Sequence, residues 1–78
     1  MTKRAIDVYQ TGKTIKRLCE ERGITATDIM RKLNLNSPDL VYKWFRGERM
    51  PSVDNLVLLS DYLGVSIDEL IVSRALDK

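Results

Sequence analysis

Apolar residues recur along the chain at spacings of three and four, in short groups separated by residues that stop helices. Ile15, Leu18 and Cys19 form the first group. They make the inner stripe of a helix that starts between Asp7 and Thr11 and runs to about Arg22. Gly23 follows as its left-handed stop. Thr25 offers a hydroxyl cap to a second helix, with Asp28 three residues on as a weaker capping-box partner than glutamate. Ile29, Met30 and Leu33 are its buried face, and Asn34 ends it, asparagine being second to glycine in the left-handed region. Ser37 and Pro38 open a third helix with a hydroxyl cap and a first-turn proline. That helix carries Val41, Trp44 and Phe45 to about Arg46, and Gly47 ends it. Ser52 caps a fourth, bearing Val53, Leu56, Leu59 and Leu63, closed by Gly64 with Val65 as the apolar partner of the stop. Ser66 and Glu69 box a short fifth helix with Ile67, Leu70 and Ile71. No stretch alternates as a strand does. The pattern predicts a compact all-α fold of five helices. Residues 1–10 are read as an N-terminal extension, 11–72 as the domain and 73–78 as a short tail.

The link between the second and third helices is the informative one. Only Asn34, Leu35 and Asn36 separate the stop of one from the Ser37 cap of the next. A three-residue turn with one apolar residue folded inward forces a sharp crossing, the geometry of a helix-turn-helix. The third helix divides into an apolar side (Val41, Trp44, Phe45) and a polar side (Asp39, Tyr42, Lys43, Arg46). A helix that reads base edges needs that division, one side anchored and the other free. Arg46 and Arg49, at its end and in the next loop, are placed to bind phosphates.

Charge sharpens the picture. The net charge of +2 hides an asymmetry. Residues 12–50 hold nine bases against five acids, net +4, and residues 51–78 hold two against five, net −3. A basic half that meets a polyanion accounts for this, and so does a mixed solvated surface. At 78 residues there is room for one core only. No run approaches the roughly 18 apolar residues of a membrane span, and no leader pattern precedes the body. Cys19, the single cysteine, has no internal disulfide partner, which fits a reducing compartment, and with no histidine the chain has no zinc ligand set. Cytoplasmic location is expected. On the stripe of the first helix Cys19 reads as a small hydrophobe.

From about Ile15 to Ile71 the chain resembles the phage-repressor and Cro-like family of regulators, also called the xenobiotic-response-element (XRE) family. The matching text is IKRLCEERGIT, then DIMRKL, then VYKWFRGERMPSVDNLVLLSDYLGVSIDELI. The resemblance implies a lambda-repressor-like DNA-binding fold. It implies that the start of the second helix, here Thr25, Ala26 and Thr27, bonds the phosphate backbone. It puts the third helix in the major groove, with Ser37, Pro38, Asp39, Tyr42 and Lys43 as its early exposed positions. The following loop then holds the backbone through Arg46, Gly47 and Arg49. Ala26 stands where the family often has glutamine, so one phosphate contact is lost or moves to Thr25 or Thr27. The segment 36–43 is one residue longer than the commonest form, so the resemblance sets the reading face only to within one position. Asp39 is unusual in the groove. It either accepts from a cytosine amine or rejects unfavourable sites, or, with Pro38, it is helix-start chemistry.

These readings point to a sequence-specific regulator of transcription, a repressor, binding double-stranded DNA as a homodimer. One short helix reads only a few base pairs, so two copies about one DNA turn apart are expected. Leu70, Ile71, Val72 and Leu76 are the expected interface, although Leu70 and Ile71 equally suit the core. A protein-interaction module of antitoxin-like type is the alternative, and nonspecific nucleic-acid binding a third that the modest charge disfavours. Trp44 is expected in the core and Tyr42 against DNA. Without a histidine, a phosphate cradle or a nucleophile paired with a base, no enzyme activity is expected. No cofactor, metal, small-molecule ligand or membrane partner is expected either.

Overall fold

Residues able to hold a positive φ set where the helices end. The computed structural model describes residues 3–76. β1 (Arg4–Ile6) leads into α1 (Val8–Glu21), followed by α2 (Ala26–Lys32), α3 (Asp39–Phe45), α4 (Val53–Leu63), α5 (Ile67–Leu70) and β2 (Ser73–Ala75). Gly23, Asn34, Gly47 and Gly64 take φ of 67°, 58°, 75° and 71° just past the first four helices. At Asn34 the stop is a paired one. The Leu35 N–H donates to the Met30 carbonyl at 2.8 Å and the Asn34 N–H to Arg31 at 3.3 Å. Half-buried Leu35 then tucks against the core. The turn between α2 and α3 is locked by backbone bonds and one apolar anchor, but it spans 33–38 rather than the expected three residues 34–36, because α2 ends at Lys32 and α3 opens only at Asp39.

All five helices feed one core. Ile15, Leu18 and Cys19 of α1 meet Ala26, Ile29 and Leu33 around α2, Val41 and Trp44 of α3, Leu56, Leu59 and Leu63 of α4, and Leu70 of α5. Burying each large aliphatic side chain contributes about 1.5–3 kcal/mol. Arg22 links the ends of two helices: its Nε donates to the Leu63 carbonyl at 2.8 Å and an Nη to Leu18 at 3.2 Å. One of the nine bases in the cationic half thus caps a helix instead of facing a partner.

Three further sequence expectations are corrected. The chain does contain strands: β1 and β2 pair antiparallel, Arg4 with Ala75, Ala5 with Arg74 and Ile6 with Ser73. Strands of three residues are too short for alternation to show, and their partners lie some seventy residues apart. Part of the N-terminal extension and part of the tail are thereby joined. Thr11 secures the join. Its fully buried hydroxyl accepts from the Val72 N–H at 2.9 Å and donates to the Val72 carbonyl at 3.3 Å, while the Asp7 N–H reaches the same carbonyl at 2.8 Å. Second, Ile71 lies outside α5: its backbone is already extended (φ −95°, ψ 128°) as the chain turns toward β2. Third, α3 begins at Asp39, with Pro38 in the cap position. Ser37 still caps in the chemical sense, because its hydroxyl accepts from the Asp39 N–H at 3.3 Å. Among the described residues, no buried side-chain nitrogen or oxygen lacks a partner, and no helix is long and apolar enough to cross a membrane.

Candidate nucleic-acid interface

The exposed face of α3 follows from what its other face must bury. Val41 and Trp44, three apart, are 0% and 1% exposed. Tyr42 lies a quarter-turn away and is 47% exposed. Its ring meets Phe45 edge-on, with centroids 6.2 Å apart at 86°. Phe45 is half-buried, so it fixes the direction of the phenol without covering it. Asp39, Arg46 and Arg49 are exposed, and Lys43 is half-buried on the same open side. Trp44 is a core residue, as expected.

Two crossings hold this helix in place. Gly12, buried in α1, passes so close to the end of α3 that a Cβ there would stand 2.0 Å from the Trp44 carbonyl oxygen. Gly47, at the left-handed stop after α3, passes Tyr9 in the same way: a Cβ would lie 2.6 Å from the Tyr9 Cα. The first turns of α1 are thus docked on the C-terminal end of α3 and its loop. Tyr9 in turn carries the Lys13 ammonium 5.0 Å over its ring.

At the start of α2, Thr25 and Asp28 close the expected capping box. The Asp28 N–H donates to the Thr25 hydroxyl at 3.1 Å, and the Thr25 N–H to the Asp28 carboxylate at 2.9 Å. The backbone donor, then the hydroxyl, holds the Asp28 carboxyl below its ordinary value. Because the folded value is the lower one, the stabilisation is complete above the unfolded carboxylate range. It is lost as pH falls from about 4 through the folded value. Native protein is therefore expected to exceed Asp28→Asn in stability at neutral pH, with the gap closing in acid. Thermal melts of both proteins between neutrality and the acid limb check this.

Four of the residues expected from the sequence share one hollow. Thr25, Ala26, Tyr42 and Arg46 line it, floored by Ile24, Phe45 and Cys19 and edged by Lys16 and Glu20. Burial pushes the Cys19 thiol up to about 11, so it stays neutral there. The Ala26 methyl is only 4% exposed and belongs to the core, which leaves its backbone as its contribution to this surface. Thr27 is half-buried. Ser37, Pro38, Asp39, Lys43 and Arg49 stand outside the hollow. Arg46 is already engaged: its guanidinium bonds the Glu48 carboxylate, which holds Glu48 below and Arg46 above their ordinary values. Lys16, which is not among the residues expected from the sequence, also edges this hollow. In the sequence it is one base of many on α1, and only the crossing of α1 over α3 places it opposite Tyr42 and Arg46. Among the described residues no cluster of acidic and cysteine side chains could hold a metal ion.

Residues 15–70 match the helix-turn-helix family. Among curated proteins none matches. Several solved structures do. The restriction-modification controller protein C.AhdI from Aeromonas hydrophila superposes with a TM-score of 0.74 at 23% identity, covering 82% of this chain and 96% of that one. A transcriptional regulator from Listeria innocua gives 0.73 at 32% identity, over 80% of this chain and 57% of that one. The DNA-binding domain of BldD from S. venezulae gives 0.70 at 24% identity, over 85% and 97%.

Proposed function

The chain belongs to the XRE-type helix-turn-helix family of DNA-binding transcriptional regulators, and on that premise we propose that α3 reads a specific duplex site from the major groove. Ser37, Pro38, Asp39, Tyr42 and Lys43 supply the reading surface. Thr25, Ala26 and Thr27 at the start of α2, with Arg46, Gly47 and Arg49 after α3, hold the phosphate backbone. Lys16 joins them across the hollow. The observation that carries this reading is the division of α3: Val41 and Trp44 are buried behind while Tyr42 is exposed in front. Such a helix can enter a groove without losing its anchorage.

The protein acts in the cytoplasm as a homodimer on two half-sites, and represses by occupying them. Binding to the phosphate track requires Arg46 to exchange Glu48 for phosphate. That exchange replaces one anion by another, and both residues are exposed enough to make it.

Selection from random duplexes followed by salt titration tests this. A two-half-site motif is expected. Lys43→Ala and Tyr42→Ala should each weaken binding to that motif by roughly 1–3 kcal/mol and relax its sequence preference. Arg49→Ala should weaken all sequences alike and reduce the salt slope by about one. If only sequence-independent binding is found, specific reading by α3 is refuted.

A further inference from the structure

The β1–β2 ribbon leaves both of its outer edges unpaired among the described residues. Its register determines what each edge offers. In an antiparallel pair, alternate residues turn their backbone groups toward the partner strand and the others turn them outward. The Leu76 N–H donates to the Lys3 carbonyl at 2.9 Å, and Asp7 N–H to Val72 at 2.8 Å, at either end of the ribbon. With Ala5 opposite Arg74 between them, residues 3, 5 and 7 face β2. Arg4 and Ile6 therefore present their N–H and C=O groups to the outside, and Ser73 and Ala75 do so on β2.

We propose that β1 is a self-association edge, and that two copies pair β1 against β1 antiparallel about Ala5 to form a four-stranded sheet ordered β2–β1–β1–β2. In that arrangement Arg4 of each copy exchanges both backbone bonds with Ile6 of the other. Ala5 meets its own copy on the two-fold axis, at the close non-bonded position where Cα atoms stand about 4.5 Å apart. A methyl fits there. Arg4 lies opposite an isoleucine, so no like charges are directly opposed. The β2 edge fails the same test: its two-fold sets Arg74 against Arg74 at the closest position, which is destabilising. Ile6, on β1 itself, is 46% exposed and supplies apolar surface to cover. A two-stranded ribbon is marginal by itself, and a second copy gives it the further strands that make such sheets stable. This inference rests on the two-copy reading above for the purpose of the dimer and adds the surface that makes it.

The test is disulfide trapping of Ala5→Cys in the full chain. A Cα separation of about 4.5 Å lies within the range a disulfide spans. Cys19, 1% exposed, is shielded from the oxidant. Ala5→Cys is expected to form a covalent dimer about tenfold faster than Asp61→Cys, an exposed position on α4, at the same protein concentration. Adding Ile6→Pro should bring the rate down to that of the control, because proline removes an outward donor and leaves the β1–β2 ladder bonds alone. Ala5→Arg, which sets two guanidiniums on the axis, should sediment as a monomer at concentrations where the native chain associates. Equal trapping of Ala5→Cys and Asp61→Cys, or indifference to Ile6→Pro, overturns the proposal. A duplex carrying one half-site separates this from the functional reading. Ile6→Pro that binds it as the native chain does, while failing to dimerise, supports the β1 edge. Failure of the native chain to bind any duplex refutes DNA reading and leaves the trapping result to decide the edge.

Discussion

Gly12→Ala is expected to destabilise the protein by about 3 kcal/mol, at the upper end of what overpacking costs. The sign is the test, because glycine in a helix interior is ordinarily improved by alanine, by roughly 0.5–1 kcal/mol. Here the added Cβ would stand 2.0 Å from the Trp44 carbonyl oxygen and 3.2 Å from both the Gly47 nitrogen and the Phe45 carbonyl oxygen. All three are backbone atoms, so no rotamer change relieves the overlap. The end of α3 must move off α1, carrying the Arg46–Arg49 loop with it. Urea unfolding of the two proteins measures the effect, and a gain in stability for Gly12→Ala would refute the close crossing.

Trp44→Ala should cost more, about 3–5 kcal/mol, since it removes a large, fully buried side chain and leaves a cavity behind it. A domain of this length has a total stability of only roughly 4–12 kcal/mol. The variant is therefore expected to be largely unfolded or to melt far below the native chain. DNA affinity separates this role from base stacking. Under conditions that refold the variant, such as added osmolyte, affinity per folded molecule should return to within a few-fold of native. A Trp44→Ala protein that melts normally but has lost DNA affinity would move Trp44 from the core to the interface.

How far the fold can be read from the sequence depends on whether a feature is local. Helix ends are local. Gly23, Asn34, Gly47 and Gly64 each permit a backbone conformation that most residues resist, and the structure uses all four. The capping boxes at Thr25–Asp28 and Ser66–Glu69 are also contained within a few residues, and both are formed. The ribbon is different. Arg4, Ala5 and Ile6 have no alternation to reveal them, and what makes them a strand is pairing with Ser73, Arg74 and Ala75 at the other end of the chain. Gly12 gives no local signal either. Within α1 it looks like a weak helix former, and its purpose appears only where α1 meets the Trp44 carbonyl.

The candidate site divides in the same way. Amphipathic spacing within α3 is enough to separate Tyr42 from Val41 and Trp44, and the structure separates them as that spacing requires. The inward Ala26 methyl, the outward Lys16 and the capping role of Arg22 depend on which helix packs on which. Spacing along one helix carries no information about that. Leu70 and Ile71, offered by the sequence as interface or core, are buried and half-buried, while Leu76 at 52% remains exposed beside the ribbon.

The most direct test of the central claim compares Tyr42→Ala with the native chain in selection from random duplexes, after circular dichroism has shown that both fold. Tyr42 is 47% exposed and its ring meets Phe45 edge-on at the margin of the core, so the variant should melt close to native. If α3 reads DNA, the native chain enriches one motif of two half-sites. Tyr42→Ala should then lose preference at a defined position within each half-site while keeping its dependence on salt. An unchanged motif from a folded Tyr42→Ala, or no motif from the native chain, would contradict reading of DNA by this face.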